Sequence, residues 1–259
     1  MQTLDIRHIN VAQYLQPFRE GGSMPGLVKG DDDFMYVLKF RGAGQGKKAL
    51  IAELIGGELA RLIGLKVPEL VFMDLDDSFS KTEPDQEIQD LLKFSVGLNL
   101  GLHFLSSAIT YDPLVSDTDS MTASKVVLLD SILTNIDRTA KNTNLLIWSK
   151  ELWLIDHGAC LYFHHNWNNW ESQLTRTFPM VKDHVLLSKA NDIPAAAAAI
   201  KTSVTEEKLQ QIVNTIPEEW LQEESNPLPP AEMRVAYVAV LLAKVNNIDA
   251  LAKEATDVK

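Results

Sequence analysis

The stretch Asn135-Ile136-Asp137-Arg138-Thr139-Ala140-Lys141-Asn142 is followed by two apolar runs, Leu145-Leu146-Ile147-Trp148 and Leu152-Trp153-Leu154-Ile155, and then by Asp156-His157-Gly158. The turn-prone Ser149-Lys150-Glu151 separates the runs. The pattern is a polar loop, a tight hairpin, and an acid delivered into a glycine-containing corner. Phosphoryl transfer needs groups of this kind: a carboxylate to accept a hydroxyl proton, and an Asn and a second Asp to hold magnesium against a triphosphate. Asp137, Asn142 and Asp156 are the candidates for that set. The spacing from Asp137 to Asn142 lets one loop present both, and the hairpin brings Asp156 back beside them. Lys141, inside the loop, is either a further charge for the transferred group or an exposed loop lysine.

Upstream of the loop, Thr122 to Leu133 has helical periodicity, with Val126, Val127, Leu129, Ile132 and Leu133 forming an apolar face and Thr122 as N-cap. Asp130 is expected to be a supporting or surface carboxylate. Further back, Leu27-Val28-Lys29 and Met35 to Phe40 read as strands joined by Gly30-Asp31-Asp32-Asp33, and Val11 to Glu20 as a first strand that Pro17 makes an edge or bends. Gly21, Gly22 and Ser23 form a turn that can lay backbone N–H groups over phosphate oxygens, and Lys39 can reach the same oxygens as a point charge. Each of these, taken alone, also suits an ordinary glycine turn and a solvated strand lysine.

Arg41-Gly42-Ala43-Gly44-Gln45-Gly46 fits neither nucleotide-loop pattern. A Walker-type loop needs Gly at position 41 and Ser or Thr at 48, and the glycines alternate too strictly for Gly-x-Gly-x-x-Gly. Lys47 to Ile63 repeats its apolar residues at helical spacing and stops at Gly64. Glu53, one turn in, is the candidate partner that would aim Lys39. Leu65 to Leu75 reads as a strand, Asp74 to Asp85 as an exposed loop, Glu87 to Phe94 as a short helix, and Ser95 to Leu105 as the region of the last strand. Beyond the loop-like Ser106 to Ser120, helices are predicted at Asp183 to Lys189, Ile193 to Ser203, Glu206 to Thr215 and Ala231 to Ala255.

With 259 residues, 46% hydrophobic and 23% charged, the composition is that of an ordinary globular protein. A net charge of -11 argues against a nucleic-acid-binding surface and against docking on anionic lipid. The single cysteine, Cys160, excludes an internal disulfide. The first residues lack a signal-peptide pattern, and no apolar run approaches the roughly 20 residues that span a bilayer. The expectation is a soluble cytoplasmic protein. His164 and His165 with Cys160 do not match the spaced ligand pairs of a zinc site.

The chain resembles the HipA-like kinases, relatives of the serine/threonine kinase toxin HipA and, more distantly, of protein and phosphoinositide kinases. The residues that carry the resemblance are Arg19 to Pro25, Val37-Leu38-Lys39-Phe40-Arg41-Gly42, Asn135 to Asn142, and Leu152 through Gly158 to His165. The resemblance implies an α+β, bilobal, protein-kinase-like fold. A small β-rich N-lobe with one main helix would cover residues 1–105, and a larger, mostly helical C-lobe residues 106–259. It further implies ATP and Mg2+ as requirements, Asp137 as catalytic base, Asn142 and Asp156 on magnesium, and Lys39 on phosphate. Serine or threonine of a protein is the expected acceptor; a small-molecule or lipid-head-group kinase and a nucleotide-binding pseudokinase are the alternatives. No His-Arg-Asp precedes the base and no Ala-Pro-Glu follows the activation segment. HipA itself has an extra N-terminal subdomain, for which residues before Lys39 leave no room, so toxin activity and a HipB-like antitoxin partner are not carried over.

Overall fold

A closed β-barrel is the first thing the chain builds. The computed structural model describes residues 4–18, 24–222 and 227–259. The barrel strands are β1 (His8–Pro17), β2 (Gly26–Gly30), β3 (Met35–Lys39), β4 (Leu70–Leu75) and β5 (Gly97–His103), in spatial order β1-β2-β3-β5-β4. Alternation decides which side chains enter it: Tyr36 and Leu38 point inward with Val28, Val71 and Met73, while Met35, Val37 and Lys39 face out.

β1 differs from its expectation. It is no edge strand, because it pairs antiparallel with β2 and, through His8 to Asn10, parallel with β4. Its irregularities are two register shifts, between Val11 and Gln13 and between Tyr14 and Gln16, and Pro17 is its last residue. Nor does the predicted strand Leu65 to Leu75 form throughout: only Leu70–Leu75 joins the sheet, since Pro68 has no N–H to donate.

Helix α1 (Lys47–Leu62) crosses from β3 to β4 with residues 50 to 60 all buried. The predicted loop after β4 contains a one-turn helix, α2 (Ser78–Thr82), followed by α3 (Gln86–Phe94). The segment beyond β5 contributes β6 (Ile109–Thr110) to a small sheet, β6-β7-β8, completed by β7 (Leu145–Trp148) and β8 (Glu151–Leu154). Between them, α4 (Ser120–Leu133) is buried along most of its length. Its cap is Asp119, not Thr122: the Asp119 carboxylate accepts the Thr122 N–H at 2.8 Å, the usual geometry of an N-cap and its third residue.

Past residue 158 the chain makes short 3₁₀ turns, among them Pro179–Asp183 and Leu187–Lys189, and the helix expected at Asp183 to Lys189 does not form. Helices α5 (Ile193–Ser203), α6 (Glu206–Asn214), α7 (Glu218–Leu221), α8 (Pro230–Asn246) and α9 (Ile248–Asp257) follow. The last two replace a single predicted helix and bend by 59° at Asn247. Among the described residues no single helix is long and apolar enough to cross a membrane. One apolar core runs from the outer face of β4 and β5 through α1 and α4 into these helices, and a second fills the barrel.

Candidate active site

Strand β3 and helix α1 meet at an ion pair. Lys39, whose side chain leaves the outer face of β3, lies 3.2 Å from the Glu53 carboxylate of α1. It also lies 2.6 Å from Asp156 Oδ1. Three separate segments of the chain therefore converge on one amine. Glu53 is fully buried and has a further tie: its Oε2 accepts the main-chain N–H of His157 at 2.9 Å. His157 is buried against Gly56 of α1, where an added Cβ would lie 2.6 Å from the His157 Cβ, so only glycine lets the helix approach this closely.

Asp156 itself adopts a left-handed backbone, φ 57°, which turns its side chain out of line with β8 and leaves it 41% exposed. Thr134, Asn144 and Leu161 share this region of φ, so the loop is bounded by residues in uncommon conformations. Such clusters mark places where surrounding structure fixes a functional geometry.

Asp137 sits in the loop after α4. Its N–H donates to Asn135 Oδ1 at 3.1 Å, and Asn135 in turn donates to Asp130 at 3.0 Å. The Asp137 Oδ2 accepts from Asn142 Nδ2 at 2.9 Å and from Asn144 Nδ2 at 3.3 Å. Both amides thereby aim their N–H groups at Asp137, which leaves their Oδ1 atoms for other ligands. The Ile155 N–H donates to the Asn144 carbonyl at 3.1 Å, joining the end of this loop to the residue before Asp156. Lys141 is exposed, and no ion pair links it to Asp137 or Asp156. Gly21, Gly22 and Ser23 lie outside the described residues.

A profile of HipA-like kinases matches residues 11–251. The chain belongs to the HipA-like kinase family. No curated protein matches it in sequence. In three dimensions this HipA-like kinase resembles the Helicobacter pylori proinflammatory kinase CtkA at 14% identity and a TM-score of 0.61, over 100% of both chains. It also resembles the Golgi casein kinase with Mn/ADP bound, at 9% identity and a TM-score of 0.52, over 96% of this chain and 73% of that one. At those identities the likeness shows the fold, which is kinase-like, with a small β-rich N-terminal part.

The HipA-like kinase also holds its loop from beneath, through Asp130, for which the sequence offers a supporting or a surface role, and through Arg138 and His184, to which it gives none. Arg138 is buried, and its Nε donates to Asp130 Oδ2 at 2.7 Å. Its Nη1 donates to the Asn144 carbonyl and to that of Ile155 at 3.4 Å. His184 completes the cluster: its Nδ1 accepts the Leu186 N–H at 3.0 Å, so its Nε2 carries the proton and donates to Asp130 at 2.9 Å. Asp130 is thus a buried hub rather than a surface acid. Burial alone would raise its carboxyl, but the Arg138 charge and the His184 bond hold it well below the carboxylate range. A signal was available in the sequence, since Asp130 lies four residues after Val126 on the apolar face of α4.

The Cys160 thiol is pushed up by burial, which makes it a poor nucleophile, and burial keeps His164 neutral beside the Tyr237 hydroxyl at 2.9 Å.

Glu53 gives the site a pH dependence. Burial would raise its carboxyl, yet the Lys39 charge and the His157 bond outweigh it and bring it from 4.5 to about 2. A carboxyl depressed on folding stabilises the folded state fully above its unfolded value and loses that contribution as pH falls through the folded value. Resistance to urea should accordingly decline between pH 4.5 and about 2. Glu53→Gln should flatten that part of the profile; an unchanged slope would show that other groups set it.

Proposed function

We propose that the chain is an ATP- and magnesium-dependent phosphotransferase that moves the γ-phosphoryl group to a serine or threonine hydroxyl of a protein. The reading rests above all on Lys39, held at once by Glu53 and Asp156, which is the arrangement that aims a strand lysine at nucleotide phosphates. Residues 1–105 and 106–259 would form two lobes, with the nucleotide in the cleft between them. The single buried cysteine suits the reducing cytoplasm.

The donor set fits magnesium. Among the described residues no three His, Cys, Asp or Glu side chains converge as metal ligands. Magnesium, however, is usually held by one or two carboxylates together with substrate phosphates, not by an all-protein cage. Asp156 and the amide oxygen of Asn142 supply hard oxygen ligands of that kind, and the Golgi casein kinase, similar in fold, holds Mn and ADP. Bound there, the ion would neutralise phosphate charge.

The chain's own residues do the rest. Lys39 exchanges part of its contact with Asp156 for the incoming phosphates, while Glu53 keeps the amine in place. Asp137, steadied through Oδ2 by Asn142 and Asn144, offers Oδ1 to the acceptor hydroxyl, orients it and takes its proton as the new O–P bond forms and the bond from the γ-phosphorus to the bridging oxygen breaks, releasing ADP. Incubation with ATP and magnesium, followed by intact mass of the chain and of a mixed protein substrate, tests the reading. A gain of one phosphate on serine or threonine is expected. Nucleotide binding with no transfer to chain, substrate or water would overturn it.

A further inference from the structure

Helix α7 is a single turn, yet it joins the two halves of the chain. On one side Arg234 of α8 holds it, donating to Glu218 at 3.0 Å and to the Ile216 carbonyl at 2.9 Å. On the other side it reaches the β-rich part. The Glu219 carboxylate pairs with Arg41 at 2.7 Å, two residues beyond Lys39. The Glu219 carbonyl accepts from Lys47 at 2.8 Å, the first residue of the helix that carries Glu53.

Trp220 completes the join. It is 1% exposed, its ring meets Phe72 of β4 edge-to-face at 5.5 Å, and its indole N–H donates to the Leu98 carbonyl of β5 at 3.1 Å. Next to Leu98, the Asn99 side chain accepts the Arg41 N–H at 2.8 Å. The strap therefore grips both elements whose meeting forms the Lys39–Glu53 pair, at points outside the pair itself.

We propose that Glu219 and Trp220 are positioning residues of the phosphoryl-transfer site. They hold β3 and α1 in register, so the Lys39–Glu53 pair is braced by the chain's own C-terminal helices. The proposal rests on the kinase reading for its kinetic consequence, but its structural half can be measured alone. The relevant contacts are one charged hydrogen bond and one buried N–H donor, each separable from the packing of the ring.

Glu219→Ala and Trp220→Phe are the test variants; the first removes an exposed carboxylate and the second keeps an aromatic ring in the core. Each should unfold as cooperatively as the wild type. Amide hydrogen exchange in α1 should rise several-fold in both while that of α5 and α9 stays unchanged, and ADP with magnesium should restore it. Loss of one hydrogen bond at either point should raise KM for ATP and lower kcat/KM by roughly tenfold, with kcat at saturating ATP reduced less. Glu219→Gln, which keeps an acceptor for Arg41, should recover most of the loss. Wild-type exchange in α1 in both variants would overturn the proposal, as would a rise shared equally by α5 and α9. If the wild type transfers no phosphate, the kinase reading fails and the exchange measurement still decides the strap.

Discussion

Replacing Asp137 with asparagine is expected to lower phosphoryl transfer by about a thousandfold, within the range set by losing a positioned general base, while nucleotide affinity changes little. The reason lies in how the carboxylate is held. The Asp137 Oδ2 is engaged by Asn142 and Asn144, and the contact that anchors the loop uses the main-chain N–H of Asp137, donated to Asn135. An asparagine at this position keeps that anchor and nearly the same volume. It loses the negative charge and the basic oxygen that takes the proton. Lys39, Glu53 and Asp156 are untouched, so nucleotide binding followed by fluorescence or calorimetry should survive. Transfer within tenfold of wild type would mean that the proton is taken by another group.

The largest effect on stability is expected from Arg138→Leu. Arg138 and Asp130 are both buried and 2.7 Å apart, and removing one partner of such a pair leaves a charge in a medium that cannot solvate it. The usual cost is about 3–5 kcal/mol, a large share of the total stability of a domain. Denaturant unfolding should reveal it as a lower midpoint with little change in slope. Pairing the change with Asp130→Leu removes the stranded charge and should recover much of the loss, since well-packed apolar replacements of buried pairs are often neutral. Phosphoryl transfer should stay low in the double variant. The Ile155 carbonyl would still lack the Arg138 donor and the Asn144 carbonyl would keep only the Ile155 N–H, and Asn135 and His184 would lose their Asp130 acceptor. A loss below 1 kcal/mol in the single variant would remove the cluster from its place as the loop's support.

Periodicity carried the reading of β2, β3, α1 and α4, because each is a local pattern wide enough to repeat. What it missed was non-local. The parallel partner of β1 is β4, with His8 opposite Phe72, and nothing near residue 8 records that pairing. Trp220 belongs to a helix of four residues, too short to show a face. Asp130 was visible as an acid on an apolar stripe, but its partners Arg138 and His184 arrive from segments whose own patterns are irregular. For the candidate site, Lys39, Glu53 and Asp156 were named from residue type and order, and they meet in space. Lys141 is a candidate only by its position in the loop, and its side chain is exposed.

The parallel contact between β1 and β4 has a consequence for recognition. Where the ladder closes, His8 to Asn10 lie against Phe72 to Asp74, and neither strand offers its facing amides there for a visiting peptide to extend. A protein that engages the barrel at this seam therefore reads outer side chains or the helix packed on the flank. Once formed, the same pairing keeps this seam from recruiting strands out of neighbouring copies.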